Sequence, residues 1–115
     1  MLNRGEIWLA NLNPSQGTEP GKTRPVLVVQ DQALIDAGHP STLIVPLTTN
    51  VFKDAEPLRI HVPASSGIKQ SSDLLIDQLR AIDNRRFFKG PIGRLPTATL
   101  KKVDDAICEV LGLKA

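Results

Sequence analysis

A single cysteine, Cys108, occurs in the 115 residues, so no internal disulfide framework exists and a reducing compartment is favoured. The two histidines, His39 and His61, stand far apart with no acids at ligand spacing, which gives no metal-site pattern. Tyrosine is absent and the aromatics are only Trp8, Phe52, Phe87 and Phe88, too few for a general single-strand binder built from many stacking platforms. The 14 basic and 12 acidic side chains leave a net charge of +2, so contact with a polyanion has to come from a local patch. No apolar run approaches a membrane span, and MLNRGEIW has no apolar core of the signal-peptide kind. A cytoplasmic protein without membrane contact is expected. Glycine motifs of the Walker or dinucleotide type are missing too, and no cofactor or metal is called for.

What remains is an ordinary globular composition, 41% hydrophobic, with no repeat or linker, read as one domain over residues 1–115. Its most informative stretch is GEIWLANLNPSQGTEPGKTRPVLVVQ, from Gly5 to Gln30. This reads as a strand over Glu6 to Leu12, a long polar loop with Gly and Pro, and a second strand from Arg24 to Gln30 that is apolar on both faces. Asp31 to Gly38 has room for one or two helical turns. Thr42 to Thr48 is a third strand, in which Pro46 marks a bulge or an edge. Leu58 to Val62 alternates, burying Leu58, Ile60 and Val62 and exposing Arg59 and His61. Leu74 to Ile82 is a further strand. The period then changes: Leu100, Val103, Ile107, Val110 and Leu111 follow helical spacing after a cap at Thr97 or Thr99, and Gly112 is the stop. Short strands with one covering helix fit a small, strongly bent antiparallel sheet or partly open barrel.

Three residues stand out as carriers of chemistry. Arg24 presents a planar, always protonated fork at the root of a strand, which matches the oxygens of a phosphodiester; a structural ion pair is the plain alternative. Thr48 ends the apolar run IVPL and is followed by Thr49 and Asn50, hydroxyl and amide groups suited to a phosphate oxygen or to an ordinary turn. Asp77 interrupts LLIDQLRAID and, by strand alternation, shares a face with Leu75 and Leu79; it is either a buried ion-pair partner or a catalytic or orienting carboxylate. Gln78 and Arg80 point the other way, toward solvent or a second surface. Cys108 reads as packing on the final helix.

These segments, RGEIWLANLNP, TRPVLVV, IVPLTTN and IDQLRAID, in this order over nearly the whole chain, resemble the MazF/PemK family of toxin endoribonucleases from type II toxin–antitoxin pairs. The resemblance implies a mainly β, SH3-like bent antiparallel barrel of the CcdB/PemK kind, with a C-terminal α-helix and short extra helices. It implies a homodimer, a MazE-like antitoxin as partner, and metal-independent cleavage of single-stranded RNA, chiefly mRNA, at a short sequence. The family's catalytic arginine falls on Arg24 and its catalytic threonine on Thr48, while Asp77 matches an aspartate given an acid–base role in some members. Glu19 matches an acidic loop residue beside bound RNA, and Thr18, Pro20, Gly21, Lys22, Thr49, Asn50, Lys53 and Gln78 complete the implied RNA contacts. Two departures, Thr18 in place of a loop histidine and Leu75 in place of an arginine, separate this chain from relatives with an aspartate relay. Two rivals remain on the same reading: a non-enzymatic gyrase poison of the CcdB type, and a barrel that binds RNA without cutting it.

Overall fold

A computed structural model describes residues 1–13, 17–18, 22–65 and 67–113. Seven strands, β1 (Glu6–Asn11), β2 (Thr23–Val28), β3 (Ser41–Thr48), β4 (Arg59–Val62), β5 (Ser72–Leu75), β6 (Arg80–Asp83) and β7 (Phe87–Arg94), form the sheet, with helices α1 (Gln32–Asp36) and α2 (Thr97–Val110). All strand pairs are antiparallel, in the order β4-β5-β3-β2-β1-β7, with β6 joined to β3 beside β5. The sheet is not closed, so the expected barrel is open.

Alternation sorts the residues onto two faces. Ile7, Leu27, Val45, Leu47, Ile60, Val62 and Leu74 meet Val103 and Ala106 of α2 in the larger core. Ala10, Leu12, Val26, Ile44 and Ile82 form a second cluster under Trp8 and Phe87. The helix therefore covers one side, as its apolar stripe requires. It ends where Gly112 adopts φ +75, with Leu113 N donating to Cys108 O (2.7 Å) and Gly112 N to Glu109 O (3.1 Å). Those two bonds satisfy the last carbonyls in the 6→1 and 5→2 pattern that a left-handed residue permits. At the other end no side chain caps the helix; Pro96, rather than either threonine, occupies the cap position.

The structure also departs from the sequence pattern along the strands. Leu74 to Ile82 is not one strand: β5 ends at Leu75, a 3-10 turn spans Ile76–Gln78, and β6 begins at Arg80. The tighter turn breaks the two-residue period, so Ile76 is buried and Asp77 lies exposed instead of on an apolar face. Leu58 lies just before β4 and is 50% exposed. Pro46 is buried inside β3, not at an edge or a bulge. Its second neighbour changes there, from β6 over Ser41–Ile44 to β5 at Leu47–Thr48, so the missing N–H falls where no second ladder demands it. Finally, β7 is a strand that FFKGPIGR does not announce, because Gly90-Pro91 reads as a breaker. Gly90 is required there: a Cβ would lie 2.4 Å from Trp8 Cδ2.

Candidate active site

Arg24 and Thr48 come together through register. The β2–β3 ladder pairs Val26 with Pro46, Leu27 with Val45 and Val28 with Ile44, and the same count carried two residues further sets Arg24 opposite Thr48. Arg24 Nη1 donates to Leu47 O at 3.3 Å, which holds the guanidinium at the end of β3. Both residues are half-buried, reachable yet anchored. Thr48 Oγ1 accepts from Asn50 N at 3.2 Å, and its hydroxyl hydrogen is left to donate.

The row continues across the sheet. Thr48 pairs with Asp73 of β5, and Asp73 pairs with His61 of β4, so these three lie in one row on one face, which the extended β2–β3 register carries on to Arg24. At roughly 4.8 Å per strand, Arg24 and Asp73 are about 10 Å apart along the row.

Asp73 is the residue the sequence reading missed. It is 1% exposed and fully engaged: Oδ2 accepts from Phe52 N at 2.9 Å and from Arg59 Nη1 at 3.2 Å, and Oδ1 meets His61 Nδ1 at 3.1 Å. Arg59 Nη1 also donates to Asn50 O at 2.7 Å, and its guanidinium lies 4.1 Å from the centre of the Phe52 ring. The segment after Thr48 is thus held from below by two side chains of one cross-strand pair, Thr48 gripping the Asn50 amide and Asp73 the Phe52 amide. Burial pushes the Asp73 carboxyl up, but the Phe52 amide, His61 and Arg59 together outweigh it and hold it below the ordinary value of 3.8.

A carboxyl depressed in the folded state contributes its full stabilisation above 3.8 and loses it as pH falls toward the lower folded value. The difference in urea midpoint between the wild type and Asp73→Asn, present at about pH 5, therefore shrinks below about pH 4. A difference that persists unchanged at pH 2.5 would contradict the assignment.

The other candidate residues fall into three groups. Thr49, Asn50 and Lys53 are exposed on the segment that Asp73 anchors. Lys22 and Thr18 are exposed in the β1–β2 loop, while Glu19, Pro20 and Gly21 lie outside the described residues. The roots of that loop are tied: Lys22, at φ +65, donates its amide to Asn13 Oδ1 (2.6 Å), its carbonyl accepts from Leu12 N (2.8 Å), and Arg86 Nη1 donates to Asn11 O (3.1 Å). Asp77 and half-buried Gln78 form the third group. β5 runs antiparallel to β3, so the chain beyond Asp73 moves away from the Thr48 end, and the structure does not gather these two with Arg24.

A cavity of about 360 Å³ opens nearby, lined by Leu9, Pro25, Thr49, Ile68, Lys69 and Lys89 among others. Leu9 and Pro25 are a cross-strand pair in the alternate register to Arg24, so this cavity belongs to the opposite face. Among the described residues no group of three His, Cys, Asp or Glu is placed to hold a metal ion, and no helix is long and apolar enough to cross a membrane.

Comparison with known proteins agrees with this architecture. The chain is 32% identical to the endoribonuclease MazF of Staphylococcus saprophyticus over 117 aligned residues, 98% of this chain and 93% of that protein. The crystal structure of MazF from Deinococcus radiodurans superposes with a TM-score of 0.81 at 25% identity, covering 96% of each chain. An endoribonuclease in complex with its cognate antitoxin, from a mycobacterial species, shares the fold with a TM-score of 0.78 at 18% identity, covering 100% of this chain and 99% of that one. The model of the PemK-like, MazF-like toxins of type II toxin–antitoxin systems matches residues 3–111. Matched over residues 3–111 and 32% identical to a curated relative along nearly its whole length, with an open antiparallel sheet and one covering helix, the chain belongs to that toxin family.

Proposed function

We propose that the protein is an endoribonuclease that cuts single-stranded RNA, chiefly mRNA, at a short sequence without a metal, and so arrests translation and growth as the toxin of a toxin–antitoxin pair. The observation that carries this is the Arg24–Thr48 rung, a fixed cation and a hydroxyl donor at the open end of β2 and β3. In the proposed reaction the 2′-hydroxyl beside the cut attacks the adjacent phosphorus and the bond to the 5′-oxygen of the next nucleotide breaks. The products are a 2′,3′-cyclic phosphate and a 5′-hydroxyl. Arg24 neutralises charge on the phosphorane and Thr48 donates to a non-bridging oxygen, an electrostatic contribution on the order of 3 kcal/mol for one well-placed donor. The 2′-hydroxyl, as nucleophile, is also the reason DNA is spared. Asp77 has no part in this scheme.

A homodimer belongs to the same reading. Leu43 and Leu111, both exposed, border a cavity of about 310 Å³ between β3 and α2, apolar surface that a second copy would cover. A MazE-like antitoxin is the proposed inhibitor, its acidic residues competing with RNA for Arg24, Lys53 and the edge of Arg59. The endoribonuclease named for the Staphylococcus saprophyticus relative supports the activity, and the antitoxin complex among the structural relatives supports the partner. The cytoplasm, where mRNA is translated, is the proposed place of action.

Purified protein incubated with mixed-sequence single-stranded RNA in EDTA gives discrete fragments whose ends are cyclic phosphate and 5′-hydroxyl. RNA that stays intact under these conditions refutes the reading, and stalled DNA gyrase with intact RNA would favour a poison of the CcdB type. End-sequencing of the fragments gives the recognition sequence.

A further inference from the structure

Phe52 is 56% exposed in a chain with few aromatics, and yet both its backbone and its ring are held in place. Its amide is held by a buried carboxylate, and one side of its ring is backed by a guanidinium that this carboxylate also holds. A phenylalanine that only filled space would be turned inward; here the anchoring is buried and the ring is outside. The geometry also sets where the ring stands. Phe52 N is 2.9 Å from Asp73 Oδ2, and Asp73 is the cross-strand partner of Thr48, so the platform lies beside the Arg24–Thr48 rung on the same sheet face.

We propose that the Phe52–Arg59 stack, set in place by Asp73, is a stacking platform for a nucleobase flanking the scissile phosphate. An RNA strand gripped at one phosphate by Arg24 and Thr48 and running across the strands along this row brings a flanking base over Phe52. The exposed ring face takes the base, and the guanidinium on the other side adds a fixed positive charge. The Asp73 carboxylate does not repel the RNA backbone, because it is buried and its charge is matched by Arg59. Phe52 is thus a substrate-positioning residue, while Asp73 and Arg59 act through it. This rests on the RNA-cleaving reading for its meaning, but the stacking contact itself is measurable without cleavage.

The test uses a fluorescein-labelled, randomised single-stranded 12-mer with 2′-deoxyribose, which cannot be cut by 2′-hydroxyl attack, with binding followed by anisotropy. Phe52→Leu, which keeps the exposed apolar volume, is expected to raise Kd roughly ten-fold. Phe52→Trp is expected to bind within a factor of two of the wild type. A matching abasic 12-mer is expected to bind the wild type and Phe52→Leu equally. With cleavable RNA, Phe52→Leu is expected to raise KM roughly ten-fold while kcat changes less than three-fold. Equal Kd for wild type and Phe52→Leu overturns the platform, as does failure of the wild type to bind the 12-mer. Loss of KM discrimination alone also counts against it. Intact RNA with the wild type sinks the nuclease reading, while the binding comparison still decides the platform.

Discussion

Arg24→Ala lowers the single-turnover rate of RNA cleavage by roughly a thousand-fold, with thermal stability changed little. A guanidinium aimed at developing phosphorane charge in a partly dehydrated site is worth about 10³-fold or more when removed. Arg24 is half-buried and fixed to Leu47 O, so the wild-type donor needs little reorganisation as charge develops. Arg24→Lys does not restore the rate, because an ammonium on a flexible stem cannot both hold the Leu47 carbonyl and present a planar fork to two oxygens. Thr48→Val, close to isosteric, costs less, on the order of a hundred-fold, since it removes one neutral donor. If Arg24→Ala still cuts within three-fold of the wild type, the arginine is structural and the mechanism offered above is wrong.

Asp73→Ala destabilises the fold by about 3 kcal/mol, the low end of the range for breaking a buried ion pair. The low end applies because the Arg59 side chain keeps 18% exposure and retains the Asn50 carbonyl and the Phe52 ring. The substitution strands the Phe52 amide and removes the only carboxylate seen on Arg59 among the described residues. For a chain of this size the loss appears as a drop in Tm of about 10 °C. Asp73→Asn costs less, because an amide oxygen still accepts from Phe52 N. Calorimetry of the three proteins at pH 7 orders them wild type, Asn, Ala. An alanine variant that melts with the wild type would mean the cluster is held by other contacts.

How much of this was legible beforehand depends on where the pattern is local. The placement of Arg24 and Thr48 at strand ends was readable because each adjoins a strong apolar run, VLVV after one and IVPL before the other, and strand ends are where ladders open to solvent. The stop at Gly112 was readable for the same reason, as a positive φ after a periodic helix has one cheap solution. Asp73 was hidden by its partners. Arg59 and His61 read as the solvent side of an alternating strand; His61 is exposed, but Arg59 is largely covered, because on that side both fold over a carboxylate from the next strand. Nothing within five residues of Asp73 announces it, since all three of its partners are ten or more positions away. Asp77 was misplaced because alternation was carried through Ile76–Gln78, where the backbone tightens into a 3-10 turn. β7 was missed because Gly90 and Pro91 carry a message about Trp8 packing and a sheet edge, not about the end of a strand.

The ladder from β2 to β4 divides labour along its length. In the proposed reaction β2 and β3 bear the reacting groups, whereas Asp73 and Arg59 tether the segment that follows Thr48 to the outer two strands. Substitutions between Val51 and Leu58 can therefore drift, or be chosen in a library, without disturbing the bond-breaking end. A toxin organised in this way can acquire new target words while its chemistry stands still, and swapping that one segment between relatives is a direct route to reprogrammed RNA cutters.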